Sequence, residues 1–226
     1  MSLSSSWQFV GGVGGPLYRI YDALRLRVSR RLSDYLIQQT IAKSRNGSGV
    51  RQVRALEAGS GPGSSSSLLA ARGDRVYAVC LDIDHGALIE ARRRDATLPV
   101  VVGDVLHMPF ADGVFGLVFN SSTVEHLDEP RKAVVEMRRV CAGTGHVFIG
   151  VPYAYGPLVF QPWIRRSRLG VWLGPVFSRG RLDALLQDAG LVPIHHIRYF
   201  ARFFIGALAA VRGEGLGLSV TRGAGS

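Results

Sequence analysis

The chain has 226 residues, 47% apolar and 19% charged, which is ordinary for one globular domain with a sizeable core. Its first residues lack the basic start and apolar run of a secretory signal, and no stretch approaches the roughly 18 apolar residues of a membrane span, so we expect a cytoplasmic protein. The formal net charge of +10 comes from Arg residues scattered in short groups, which disfavours nucleic acid as a partner but leaves an anionic acceptor or membrane surface open.

The predicted elements begin with an amphipathic segment. From Pro16 to about Lys43, apolar residues recur at spacings of three and four, which predicts one or two helices within an N-terminal region, residues 1–45. Two cysteines without metal-ligand spacing, Cys80 and Cys141, predict buried thiols and no metal site.

Short β-rich runs then alternate with helical ones through residues 46–226. The predicted strands are residues 53–56, 75–81, 99–102, 116–120 and 145–151, and the predicted helices are residues 65–72, 85–94 and 130–141. This alternation predicts right-handed βαβ units, and therefore a doubly wound α/β domain whose mainly parallel sheet carries helices on both faces.

Polar residues stand directly after four of these strands. They are Glu57 with the loop glycines Gly59, Gly61 and Gly63, then Asp82, Asp104 and Asn120. Because ligands of such sheets bind at the carboxyl ends of the strands, these residues form the candidate site.

The glycine loop can be compared with three kinds of nucleotide site. Asp82 lies 21 residues after Gly61, as an acid does in dinucleotide sites, but the pattern is GxGxG and Glu57 at the loop mouth would repel a pyrophosphate. No Gly-Lys-Ser/Thr follows, which excludes a P-loop. S-adenosylmethionine fits better, because it offers a ribose diol to Asp82, an adenine amine to Asp104 and a cationic methionine end to Glu57.

Several segments resemble the class I S-adenosylmethionine-dependent methyltransferases, above all the type 11 branch, which includes small-molecule and quinone-biosynthesis enzymes. The resemblance rests on "ALEAGSGPGSSS", "VCLDID", "VVGDVLHMPFADGVFGLVFNSSTVEHLDEP" and, more loosely, "GRLDALLQDAGLVPI". It implies a seven-stranded Rossmann-like sheet. Two departures are Gly116, where the family usually has Asp, and "AGTG" in place of a Pro-Gly-Gly turn.

The resemblance also implies roles for individual residues. Glu57, Gly59, Gly61 and Gly63 would surround the methionine part of the cofactor. Asp82 would bind the ribose with Ile83 beside the adenine. Asp104 would bind the adenine amine with Val105 near the ring, and Asn120 would stand at the mouth where the methyl group is transferred.

The acceptor is expected to be a small, hydrophobic or lipid-like molecule. Its pocket would use the N-terminal region and an aromatic lid inserted at about residues 152–179, although these aromatics can equally be packing residues. Methyl transfer needs no dedicated catalytic residue, but a hydroxyl acceptor would benefit from a base. Five of the six histidines are candidates, namely His107, His126, His146, His195 and His196, and His126 is the one chosen, as a weak candidate.

Residues 199–211 are ambiguous. The family expects a closing strand pair, yet their aromatic and apolar residues also fall on one helical face bordered by Arg198, Arg202 and Arg212. A basic interfacial helix there would allow peripheral contact with an anionic membrane.

Two other functions stay open. An RNA or protein methyltransferase is disfavoured by "NSST" after the fourth strand, where amino-directed enzymes carry an Asn-Pro-Pro-Tyr-type segment. A non-catalytic subunit that keeps the cofactor site is compatible with the Gly116 departure and the lack of a convincing base.

Overall fold

The computed structural model describes residues 16–41, 52–71, 75–157, 166 and 174–212. The elements in chain order are α1 (Pro16–Leu36) with a π-helical turn (Ile37–Ile41), β1 (Val53–Ala58), α2 (Ser64–Ala70), β2 (Val76–Asp82), α3 (His85–Arg94), β3 (Val100–Val102), β4 (Phe115–Ser121), a 3-10 turn (Val124–His126), α4 (Pro130–Val140), β5 (Cys141–Pro152), α5 (Arg179–Asp188), β6 (Leu191–Tyr199) and β7 (Phe204–Val211).

The strands form one seven-stranded sheet in the order β3-β2-β1-β4-β5-β7-β6. Pairs among β1 to β5 are parallel, and β7 runs antiparallel to both β5 and β6. The strand order reverses between β1 and β4, so the carboxyl ends of these two strands flank the crevice in which such sheets bind their ligands. The predicted fold class is confirmed, and the five predicted strands are present with ends shifted by a few residues.

The two faces of the sheet carry separate apolar clusters. On one face, α4 and α5 contribute Met137, Leu182 and Leu186 against strand residues such as Val118 and Ile149. On the other face, the cluster joins residues of α1, α2 and α3 to Phe119, Phe148 and Tyr199. Because both faces of the sheet are buried, the strand sequences are nearly continuous runs of apolar residues.

Helix α1 packs directly on α2 through small hydroxyl side chains. Ser65 Oγ donates to Ser29 Oγ at 3.0 Å, and Ser33 Oγ donates to the Ser65 carbonyl at 3.3 Å. Near the end of α1 the Tyr35 hydroxyl lies 2.8 Å from His195 Nδ1 on β6. The predicted amphipathic helix is therefore present, and its described part lies against the sheet domain.

Of the two alternatives for residues 199–211, the closing strand pair is confirmed and the helix is wrong. These residues end β6, turn at residues 200–203 and form β7, which lies between β5 and β6. Ile205, Ala207 and Ala209 enter one cluster while Leu208 enters the other, so the apolar stripe reflects a strand buried on both faces. The basis for an interfacial helix is thereby removed.

Most of the predicted lid, residues 158–165 and 167–173, lies outside the described residues. Among the residues that are described, no helix is long and apolar enough to cross a lipid bilayer.

The close packing of β7 on β5 is testable at Gly206, where an added Cβ would overlap the ring of the fully buried Phe148. We expect Gly206→Ala to lower the free energy of unfolding by about 1–3 kcal/mol, because the ring has no free space to move into. Urea denaturation measures this change. The matched control is Gly143→Ala on β5, where an added Cβ meets no atom within 4 Å. Equal midpoints for the two variants would contradict the packing.

Candidate functional site

The predicted site residues come together at one edge of the sheet. Glu57, Asp82 and Asn120 lie in the last residues of β1, β2 and β4, and Asp104 follows β3. These strands are parallel neighbours, so their carboxyl ends share the edge at which the strand order reverses.

The loop between β1 and α2 needs its glycines. Gly59, Gly61 and Gly63 all have positive φ, at 75°, 51° and 65°. A Cβ on Gly59 would lie 2.5 Å from Thr123, and one on Gly63 would lie 2.9 Å from Cys80 Sγ. Both backbone conformation and space therefore exclude other side chains, and the loop backbone lies bare at the edge.

Glu57 is buried, with 4% of its surface exposed. Its Oε2 accepts hydrogen bonds from the Ser66 backbone N–H at 2.9 Å and from Ser66 Oγ at 2.7 Å. Because the first backbone N–H groups of a helix have no partners within it, this carboxylate anchors the start of α2. The sequence led us to expect the carboxylate to face the loop mouth, and the structure instead turns this oxygen towards α2.

Asp82 closes the loop from the neighbouring strand. Its Oδ2 accepts from the Gly61 N–H at 2.6 Å, and its Oδ1 accepts from the Asp84 N–H at 2.8 Å. An ionised carboxylate has about four acceptor sites, so two remain for ribose hydroxyls. Beside it Ile83 is 55% exposed, which leaves an apolar side chain free to pack on a ring.

Asp104 and Val105 follow β3. Asp104 Oδ1 accepts from the Leu106 N–H at 2.8 Å, and the Asp104 side chain is 42% exposed. Val105 is buried in the core cluster with 8% exposure. Val102, at the end of β3, is 55% exposed.

Asn120 is buried beneath the loop. Its Nδ2 donates to the Ala58 carbonyl, and its Oδ1 accepts from the Val124 N–H at 3.4 Å. Thr123, which sequence reasoning also missed, donates from Oγ1 to the Gly59 carbonyl at 3.1 Å. The segment after β4 is therefore fastened to the glycine loop, and Asn120 turns both polar atoms inwards.

Five polar side chains at the end of β4, just after β4 or at the end of β6 form a second cluster, which we call the β4 cluster: Ser121, Ser122, Glu125, His126 and Tyr199. Ser122 has a φ of 66° and donates from Oγ to Glu125 Oε1 at 2.8 Å. The hydroxyls of Ser121 and Tyr199 lie 2.9 Å apart and share a hydrogen bond. The Tyr199 ring lies over Gly150, which has no room for a Cβ.

The two ionisable groups of the 3-10 turn have opposite pKa shifts. Burial raises the pKa of Glu125 to about 8, so its carboxyl group is mostly neutral at pH 7. Burial lowers the pKa of His126, so its imidazole is also neutral. The Nε2 atom of His126 lies 3.8 Å from Glu125 Oε1, which is too far for a hydrogen bond. Glu125 was missed because the "EHL" segment drew attention only to its histidine.

The other described histidines lie outside the β4 cluster. His195 contacts Tyr35, and His196 Nε2 lies 2.6 Å from Asp183 Oδ1 on α5. His107 lies beside Asp104 and is 69% exposed, His146 of β5 stands opposite Leu117 of β4, and His85 begins α3. His126 is thus the histidine that the structure places in the β4 cluster.

Carboxylates of the protein itself occupy backbone N–H groups at this edge of the sheet. The loop N–H of Gly61 and the helix N–H of Ser66 belong to the groups that bind phosphate oxygens in dinucleotide sites, and here both donate to protein carboxylates. A pyrophosphate would have to displace Asp82 and Glu57. The site therefore suits a neutral or cationic ligand that carries hydroxyl and amine donors.

Comparison with known proteins agrees with this geometry. Residues 56–149 match the type 11 methyltransferase family model, which is described as a methyltransferase domain. The match begins at Leu56 in β1 and ends at Ile149 in β5, so it contains all nine residues predicted to bind the cofactor.

Two curated proteins are similar in sequence. A malonyl-[acyl-carrier protein] O-methyltransferase of Geobacter sulfurreducens is 34% identical over 135 residues, 58% of this chain and 47% of that protein. A demethylmenaquinone methyltransferase of Thermobifida fusca is 32% identical over 159 residues, 68% of this chain and 64% of that protein. The chain thus spans about half to two thirds of the length of these relatives.

Solved structures show the same fold. The 1,6-didemethyltoxoflavin-N1-methyltransferase of Burkholderia thailandensis, solved with bound substrate and S-adenosylhomocysteine, aligns with a TM-score of 0.60 at 14% identity over 87% of this chain and 90% of that one. Residues 56–149 thus match a methyltransferase-domain family model, and the chain shares the fold of this solved methyltransferase.

Proposed function

We propose that the chain transfers a methyl group from S-adenosylmethionine to a small-molecule acceptor. The observation that carries the proposal is the occupation of both phosphate-binding amides, at Gly61 and Ser66, by Asp82 and Glu57. This arrangement favours an adenosine ligand with a cationic end over a dinucleotide, because a sulfonium and an ammonium are attracted to the carboxylates that would repel a pyrophosphate.

Each part of the cofactor has a partner in the proposal. Asp82 would accept from the ribose hydroxyls, Ile83 and Val105 would lie beside the adenine, and Asp104 would accept from its amine. The glycine loop and Glu57 would hold the methionine part. Asn120 supports this loop from below through the Ala58 carbonyl.

Methyl transfer itself is an in-line displacement. A lone pair of the acceptor forms the new bond to the methyl carbon, and the bond from that carbon to sulfur breaks, so its electrons neutralise the sulfonium. The acceptor loses a proton if its nucleophilic atom carried one. The neutral imidazole of His126 is the candidate that takes this proton, since it lies in the segment fastened to the glycine loop.

The acceptor pocket is proposed from the elements around this edge, namely the N-terminal region of residues 1–45 and the insertion at residues 152–179. Two relatives are named for malonyl-[acyl-carrier protein] and demethylmenaquinone, both of which carry carbonyl groups. We keep a cytoplasmic location as part of the proposal, with a small molecule, not nucleic acid, as the partner.

Replacement of Asp82 by Asn tests the cofactor site. We expect the dissociation constant of S-adenosylhomocysteine to rise at least about tenfold, because charged hydrogen bonds to the ribose are weakened. Isothermal titration calorimetry measures it. The matched control is Asp95→Asn, since Asp95 caps the carboxyl end of α3 and its side chain accepts hydrogen bonds from Thr97, two residues further on. Equal affinities in the two variants would remove Asp82 from the site.

Gly59→Ala tests the need for a bare loop. The substitution places a side chain at a φ of 75° and 2.5 Å from Thr123, so the loop must shift, at a cost of about 1–3 kcal/mol. We expect weaker binding of S-adenosylhomocysteine and a lower melting temperature than in Gly143→Ala. A variant that matches this control in both calorimetric and thermal measurements would show that the loop geometry is not required.

A further inference from the structure

The β4 cluster lies between the glycine loop and the end of the insertion. On one side Thr123 donates to the Gly59 carbonyl. On the other side Gly174 lies so close that an added Cβ would be 3.0 Å from His126 Nδ1 and 3.3 Å from Glu125 Cγ. Tyr199 completes the cluster from the carboxyl end of β6. The β4 cluster therefore adjoins the loop that is proposed to hold the cofactor.

Within the β4 cluster, packing of the fold does not explain why the carboxyl group of Glu125 is buried. Its side chain has 0% exposure, and Oε2 has no hydrogen-bond partner among the residues that the structure describes. Only Oε1 is bound, by Ser122 Oγ. Buried carboxyl oxygens are nearly always satisfied, so an unsatisfied one beside a binding site points to a ligand.

The charge state of Glu125 decides which ligand it suits. The titratable side chains that the described elements bring to it are His126 on the same turn and Tyr199 on β6, and neither is a cation at pH 7. Burial raises the pKa of Glu125 to about 8, so Oε2 carries a proton and acts as a donor. A neutral acid prefers a carbonyl or carboxyl oxygen to an ammonium group.

We propose that Glu125 determines acceptor specificity by donating a hydrogen bond from Oε2 to a carbonyl-type oxygen of the methyl acceptor, while Ser122 holds Oε1. The acceptor class is therefore a neutral or anionic molecule with a carbonyl oxygen near the atom that is methylated. This inference rests on the proposed methyl-transfer function and names the acceptor chemistry of the same site. Amine acceptors, which are cations before methylation, are rejected because the cluster offers them no anion.

Matched probes test this assignment on the full chain saturated with S-adenosylhomocysteine. We use 1-tetralone, a neutral ketone, and 1-aminotetralin, which has the same rings but is protonated at pH 7. We expect the protein to bind the ketone at least about tenfold more tightly than the amine, as measured by nuclear magnetic resonance titration. Equal binding, preference for the amine or binding of neither probe would overturn the proposal.

Two substitutions test whether residue 125 acts as a neutral hydrogen-bond donor or as an anion. Glu125→Gln keeps a neutral donor, so we expect the ketone affinity to stay within about threefold. Glu125→Met keeps the side-chain length without a donor, so the ketone affinity falls about tenfold. The control is Glu129→Gln on the exposed residue that precedes α4, which leaves both affinities unchanged. Equal losses in the Gln and Met variants would overturn the donor role and indicate an anion or base.

Binding of S-adenosylhomocysteine by the same samples distinguishes a failure of the proposed function from a failure of the role proposed for Glu125. If no variant, nor the unsubstituted chain, binds S-adenosylhomocysteine, the proposed function is wrong. If all of them bind it with affinities within about threefold, and the ketone preference is absent, only the role of Glu125 is wrong. Similar circular dichroism spectra exclude misfolding as the cause of a loss.

The protonation of Glu125 gives a readout that needs no acceptor. The folded carboxyl group retains its proton above the usual Glu range, so stability is lost as the pH rises towards 8, because the unfolded chain releases that proton and the folded chain does not. We expect the urea midpoint of the unsubstituted protein to fall between pH 6 and 9 by more than that of Glu125→Gln. A carbon-13 titration of the Glu125 carboxyl should have its midpoint near pH 8, and a midpoint below 6 would contradict the neutral donor.

Discussion

The site depends on two carboxylates that bind the backbone amides of its own glycine loop and helix. Glu57 holds the N–H of Ser66, and Asp82 holds the N–H of Gly61. Each charge-assisted hydrogen bond contributes about 1.5–3 kcal/mol, enough to fix the loop before a ligand arrives. With these amides occupied, the anion site typical of the doubly wound fold is closed to phosphate, and the same edge becomes attractive to a cation.

The neighbouring β4 cluster has a different electrostatic character. Glu125 is buried without a cation beside it and is neutral at pH 7, whereas Asp82 is half-buried and held by backbone N–H groups. In the proposed complex, the methyl donor and the methyl acceptor therefore contact different carboxyl groups at one sheet edge. In that complex Asp82 would accept hydrogen bonds from the ribose hydroxyls, and Glu125 would donate its proton to a carbonyl oxygen of the acceptor.

Much of this arrangement is predictable from the sequence. Alternating strands and helices predict the parallel sheet, and acids after successive strands identify the edge, because strand ends are fixed by local patterns. The direction of a side chain is not fixed by local sequence patterns. For this reason Glu57 was expected at the loop mouth, whereas its carboxylate lies against α2. Thr123 and Glu125 were missed since their roles arise from contacts with Gly59 and Ser122 that no periodicity encodes. Residues 199–211 were ambiguous in sequence because the apolar residues of a strand buried on both faces can also fall on one helical face.

A crystal structure of the full chain with S-adenosylhomocysteine tests the central claim most directly. The account predicts ribose hydroxyls within hydrogen-bonding distance of Asp82, adenine between Ile83 and Val105, and the sulfur facing the 3-10 turn that carries Glu125 and His126. The hydrogen bond from Ser66 to Glu57 should persist in that complex. Ligand density at another part of the protein, or an adenosine bound with its ribose away from Asp82, would contradict the account.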